Sequence, residues 1–303
     1  MGLRQLGKRA AEIVLCRTGV AAAALRGSRG RTLILAYHNI VPDGEPARGD
    51  ASLHLPQRRF ARQLDLLQRT HDVVPLSAVL EPRARRGRPR AAITLDDATS
   101  GALTAGVEEL TARRLTATFF VAPAFIPGRP FWWDVVAPLT PEQREHALHV
   151  LRGSDPAVLD WAAEQGIPVR EVPAHQCCGS EDQLAAAEKA GMTFGTHTWS
   201  HRNLAALPPG ELHDELARPL AWLRARYASV LPWLAFPYGI WSDATLTMAA
   251  ELGYQAALRV DGGLVSGRDV APGPARYRLP RVNVPAGLSP EGFSLRAAGL
   301  FSR

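Results

Sequence analysis

The chain has 303 residues, 46% hydrophobic and 21% charged, enough for one large α/β domain or two small ones. Cys16, Cys177 and Cys178 are too few for a disulfide framework, and no stretch is long and apolar enough to cross a bilayer as a helix. The formal charge is +6, carried almost wholly by arginine, with Lys8 and Lys189 the only lysines. No helix-turn-helix, zinc-finger spacing or aromatic RNA-binding signature accompanies that charge, so no specific nucleic-acid partner is expected.

Residues 1–30 read as a basic helical segment. Leu3, Leu6, Ala10, Ile13 and Val14 recur at helical spacing, with Arg4, Lys8, Arg9 and Arg17 among them. Arg17 interrupts the apolar run, which argues against a secretory leader. The segment either packs on the main domain or makes weak peripheral contact with an anionic membrane. A cytoplasmic location, peripheral at a membrane in the second case, is the expectation, with export left open.

Residues 31–303 form the main domain. Strands are predicted over residues 32–40, 73–76, 91–96, 118–121, 192–198, 233–238, 256–260 and 278–284. Between them run segments with apolar residues at helical spacing, such as PQRRFARQLDLLQRT and SEDQLAAAEKAG. This alternation means βα units and a mostly parallel sheet, and seven or eight units favour a closed barrel. Residues 83–90 (RARRGRPR, broken by proline and glycine) read as a solvated loop that attracts anions. Residues 127–180, rich in helix formers and proline and carrying FWWD, read as a helical insertion. Trp132 and Trp133 either anchor it or stack on a ligand.

The chemistry-bearing residues fall at the ends of these strands. The run AAITL stops at adjacent carboxylates, Asp96 and Asp97, which repel each other and need a cation nearby. His197 and His201, four residues apart, would share a face on a helical turn. Two imidazoles and one carboxylate form a set that can hold a divalent ion and leave positions open. His38 and Tyr238 lie at two further strand ends. In a barrel, residues at the C-terminal ends of strands gather at one mouth. His54, His71, His146, His149, His175 and His213 show no partner pattern and are expected to be structural or on the surface.

These motifs resemble the polysaccharide deacetylases with a NodB-like domain, carbohydrate esterase family 4. Thr94-Leu95-Asp96-Asp97-Ala98 is similar to the family's T-F-D-D-G. His197-Thr198-Trp199-Ser200-His201 matches H-[ST]-x-x-H, and Phe236-Pro237-Tyr238-Gly239 matches the motif ending P-Y-G. YHNI, FWWD and LPRVNV resemble the branch with an N-terminal Tyr-His strand. The resemblance implies a distorted (β/α)7 TIM-like barrel and removal of N-acetyl groups from a glycan of N-acetylhexosamine units. It implies Asp97, His197 and His201 as ligands of a divalent metal, zinc first, with cobalt or manganese as alternatives. It also implies Asp96 as general base and the Tyr238 N–H as an oxyanion donor.

Four departures qualify it. Leu95 replaces phenylalanine, and Ala98 replaces a glycine, so that backbone must avoid positive φ or carry strain. Ala235 stands where many relatives have arginine. Arg281 is the candidate to replace that arginine beside Asp96. No histidine follows His213, so the late histidine that protonates the leaving amine in relatives is missing. His38, brought next to the last strand by barrel closure, is the candidate for that role, with Asp261 as a partner that would raise its pKa. A catalytically impaired carbohydrate-binding protein on the same barrel is the rival reading.

Overall fold

A computed structural model describes residues 3–82 and 87–300; Arg83 to Arg86, at the start of the anion-attracting stretch, lie outside the described residues. Seven parallel staves form the barrel. They are β1 (Thr32–Tyr37), β2 (Arg90–Leu95), β3 (Thr118–Val121), β4 (Thr193–Thr196), β5 (Val230–Ala235), β6 (Ala256–Arg259) and β7 (Leu279–Pro280, continued as Val282–Asn283). The first half of β7 pairs with β6 through Leu279 opposite Leu258, and its second half pairs with β1 through Val282 opposite Leu35. One short extended segment therefore closes the sheet on itself, with Arg281 at the changeover.

Strand parity decides which residues face the barrel interior, because successive side chains point to opposite sides. Ile34, Ala92, Phe120, Trp233, Ala235, Leu258 and Leu279 meet inside the barrel. Their neighbours Leu33, Leu35, Ile93, Leu95, Phe119, Phe194 and Val282 pack outward against helices. Both faces are thus covered, which explains why the strands read as unbroken apolar runs. Continuing the interior parity up β1, β2 and β7 brings His38, Asp96 and Arg281 to the inner side.

The outer helices are amphipathic. That after β1, Gln57–Thr70, turns Phe60, Leu64 and Leu67 inward, and the one before β5, Pro209–Arg224, buries Leu212, Leu216, Leu220 and Leu223. Ser180 and Ser242 each close a capping box at a helix start. Residues 127–180 hold three short α-helices, Trp132–Val135, Pro141–Glu145 and Asp155–Glu164, and contribute no stave. At the N-terminus α1 (Leu3–Arg17) and α2 (Val20–Gly27) form a hairpin. It is tied to the C-terminal helix Pro290–Ala297, where Ser289 Oγ donates to Glu12 at 2.6 Å.

Four predicted strands stop short, each for a local reason. The predicted 32–40 strand breaks at His38, and Asn39–Val41 leaves the barrel to pair with His54–Pro56. Of residues 73–76, only Val73 pairs, together with Asp72 before it, beside the start of β2, before Pro75 opens a 3-10 turn. The strands at 192–198 and 233–238 end at Thr196 and Ala235. Beyond those points Thr198 and Tyr238 take left-handed conformations, with φ of 63° and 58°.

Candidate metal centre

Asp97, His197 and His201 converge at the barrel mouth, all at most 4% exposed. The two histidines do not share a helical turn, as their spacing suggested. The chain after β4 makes a tight turn, left-handed at Thr198 and His201, that folds one imidazole back onto the other. Glu215, a buried carboxylate on the following helix, holds that turn by accepting from the N–H groups of Trp199 and Ser200 at 3.0 and 2.8 Å. Sequence reasoning missed Glu215, because its partners are backbone groups of a remote loop.

The two Nε2 atoms lie 3.1 Å apart, and Asp97 Oδ1 is 3.6 Å from that of His197 and 3.4 Å from that of His201. A triangle with these edges has a point roughly 2 Å from every corner, the distance at which zinc holds imidazole nitrogen and carboxylate oxygen. His197 Nδ1–H donates to the Ala235 carbonyl at 2.8 Å, which leaves Nε2 with its lone pair facing the others. Asp97 Oδ1 is buried without any hydrogen-bond partner. Burial, then the charges of Asp96 and Asp134, push the Asp97 carboxyl well above the usual carboxylate range. Burial also lowers both histidines, that of His201 strongly. Such a group of unprotonated nitrogens around an unsatisfied carboxylate fits a divalent cation.

Asp96 lies in the opposite environment. Arg281 grips it with two hydrogen bonds, 2.6 Å to Oδ1 and 2.8 Å to Oδ2, and also donates to Thr94 Oγ1 at 3.1 Å. The guanidinium is fully buried and lies over the Phe120 ring, 5.4 Å from its centroid. Burial alone would raise the Asp96 carboxyl; the charge and hydrogen bonds of Arg281, with help from His197 and His38, outweigh it and hold the group well below the usual range. The sequence expectation placed Arg281 within hydrogen-bonding reach of Asp96, and that is its position. Of the two alternatives at Ala98, the strained one holds: Asp97 has φ of 70° and Ala98, in place of glycine, has φ of 46°.

His38 lies beside this pair, where its ring feels the charges of Asp96, Arg281, His197 and His54. Two expectations about it are corrected. Asp261 does not partner it, because that carboxylate is exposed and paired with Arg259. Nor does His38 carry a proton near neutrality: burial, only partly offset by Asp96, lowers its pKa to about 4.

The FWWD segment roofs the histidines. Trp133 stacks on Phe131 and leans on His201 with ring centroids 4.8 Å apart, while the Tyr238 ring meets His201 edge-on at 4.7 Å. Trp132 Nε1 donates to Tyr238 Oη at 3.0 Å. Burial raises the Tyr238 hydroxyl far above its ordinary value, so it stays protonated. Asp134 accepts from His54 Nε2 at 2.9 Å, and His54 Nδ1 accepts from Asn39 at 3.1 Å. His54 therefore ties the insertion to the segment after β1. The aspartate of FWWD was the available signal for it.

Comparison with known proteins bears on the family and the fold. A Bacillus subtilis protein named as a polysaccharide deacetylase is 27% identical over 114 residues, 38% of this chain and 39% of that protein. A chitooligosaccharide deacetylase of Bradyrhizobium is 28% identical over 103 residues, 33% of this chain and 47% of that protein. The chain thus matches less than half the length of these curated relatives. Among solved structures, the Streptococcus pyogenes deacetylase PplD in complex with acetate shares the fold, with a TM-score of 0.61 at 18% identity, over 88% of this chain and 97% of that one. The sequence profile for polysaccharide deacetylase matches residues 83–257, more than half of the protein, and the chain belongs to that family.

Proposed function

We propose that the protein is a metal-dependent hydrolase that removes N-acetyl groups from N-acetylhexosamine units of a polysaccharide, an oligosaccharide or a glycolipid. The observation that carries this reading is the contrast between neighbouring aspartates. Asp97 is unsatisfied among two imidazoles, whereas Asp96 is clamped and ionised. The named activity of the Bradyrhizobium relative supports the amide substrate.

Asp97, His197 and His201 would hold the ion, zinc before cobalt or manganese, which when bound polarises the acetyl carbonyl and acidifies a water. Asp96 accepts the proton of the attacking water, and Arg281 keeps that carboxylate ionised and aimed. The Tyr238 N–H, presented by a left-handed turn, donates to the developing oxyanion. The proton passes from Asp96 to the neutral imidazole of His38, which lies close enough to feel that carboxylate's charge. His38 then delivers it to the departing sugar amine. Trp133, half-buried at the rim, offers a ring face for the sugar.

The test is acetate release from N-acetylglucosamine oligomers by the purified protein, before chelation, after it, and with zinc, cobalt or manganese restored. Acetate should appear, vanish with chelator and return with metal. No acetate under any metal would overturn the deacetylase reading, and release indifferent to chelator would overturn the metal requirement.

A further inference from the structure

A groove of about 720 Å³ runs along the outside of the barrel, lined by α1, the helix after β1 and the C-terminal helix. None of its lining residues belongs to the site around Asp96 and Asp97. Five cations line it: Lys8 and Arg9 from α1, and Arg59, Arg62 and Arg69 from Gln57–Thr70. The three arginines recur at spacings of three and seven residues, which puts them on one helix face. Among the described residues Glu12 is the only carboxylate in the lining, and it is engaged by Ser289 and Lys8. None of Arg9, Arg59, Arg62 and Arg69 has a carboxylate partner among the described residues; Arg59 donates to the Ala286 carbonyl at 2.8 Å.

Two further features narrow the ligand. The floor is apolar, formed by Leu66, Leu288 and Phe293. Gln63, only 7% exposed, lines the same groove with its Oε1 lacking any hydrogen-bond partner. A buried acceptor calls for a donor such as a hydroxyl. Phosphate oxygens, a hydroxyl and an apolar stem together describe the headgroup region of a lipid more closely than a nucleic-acid backbone. The adjacent helical hairpin also leaves Val14 and Val20 exposed, at 56% and 39%.

We propose that this groove seats the phosphoglycerol headgroup of an anionic membrane lipid and docks the outer face of the barrel on a bilayer. The arginines donate to the phosphate, the glycerol hydroxyl donates to Gln63, and the start of the acyl chains lies on Leu66, Leu288 and Phe293.

The test is co-sedimentation of the full chain with phosphatidylcholine vesicles, with and without one third phosphatidylglycerol, at low and high salt. Binding should require phosphatidylglycerol and weaken with salt. Each cation near an anionic surface contributes about fivefold to partitioning, so the triple variant Arg59→Gln/Arg62→Gln/Arg69→Gln should lose roughly 100-fold. All three side chains are exposed and only the Arg59 bond to Ala286 is lost, so its circular-dichroism melt should stay close to that of the wild type. If the triple variant misfolds, the single variants Arg62→Gln and Arg69→Gln should each lose about fivefold. Equal binding to pure phosphatidylcholine, or undiminished binding by the folded variants, would overturn the proposal. So would duplex DNA that displaces the protein from the vesicles.

Discussion

Arg281 and Asp96 meet side-on through two parallel hydrogen bonds of 2.6 and 2.8 Å, in a place where neither side chain is more than 3% exposed. The two residues are far apart in sequence and become neighbours because β7 closes the barrel against β1, which pairs with β2. Removing one partner of a buried pair strands the other, at a cost of about 3–5 kcal/mol. Arg281→Met should lose that much stability in urea unfolding, and its acid limb of activity should move to higher pH as burial raises Asp96 unopposed. Arg281→Lys, with the charge but not the fork, should fall between the two.

Asp96→Asn should leave metal binding intact and remove most of the rate, since a positioned base contributes about 10²–10⁴-fold. Steady-state acetate release, alongside metal content on the same sample, checks both halves. A variant that keeps wild-type kcat would remove Asp96 from the proton path.

His38 makes stability pH-dependent in a defined direction. Its folded pKa of about 4 lies below the unfolded value of about 6.5, so the unfolded chain takes up the proton first as pH falls. The contribution is complete above about pH 6.5 and is lost progressively down to about pH 4, amounting to about 3 kcal/mol. Urea unfolding of wild type and His38→Asn at pH 7 and pH 4.5 should therefore show a shallower pH dependence in the variant. The same variant should keep its metal and lose most turnover.

Trp133→Ala should raise KM for glycan oligomers about 2–10-fold, the worth of one aromatic contact, with metal content unchanged. A fall in kcat at constant KM would instead make Trp133 a support for His201, against which it leans.

The barrel and its mouth were legible because apolar runs alternate with helical spacing and the polar groups fall at strand ends. That placed His38, Asp96 and Tyr238 at one mouth; the parity that turns His38, Asp96 and Arg281 inward is visible only in the folded barrel. What parity cannot show is where a strand stops being a strand. Asp97, Thr198, His201 and Tyr238 all take positive φ without being glycine, so nothing local announced the turns that bring them together. The His54–Asp134 bond was illegible for a different reason. It joins the strand segment His54–Pro56 to an insertion whose path has no periodicity to read. The pKa of His38 depends on burial by elements from across the barrel, which spacing does not report.

Metal stoichiometry, counted by inductively coupled plasma mass spectrometry on purified wild type and single variants, tests the assignment of the site most directly. Wild type and Asp96→Asn should each bind about one divalent ion per chain, while Asp97→Asn, His197→Ala and His201→Ala should each bind far less, because a metal of the zinc class needs several protein donors. A full complement in any of those three variants would contradict the triangle as the metal site, and loss of metal in Asp96→Asn would reverse the roles of the two aspartates.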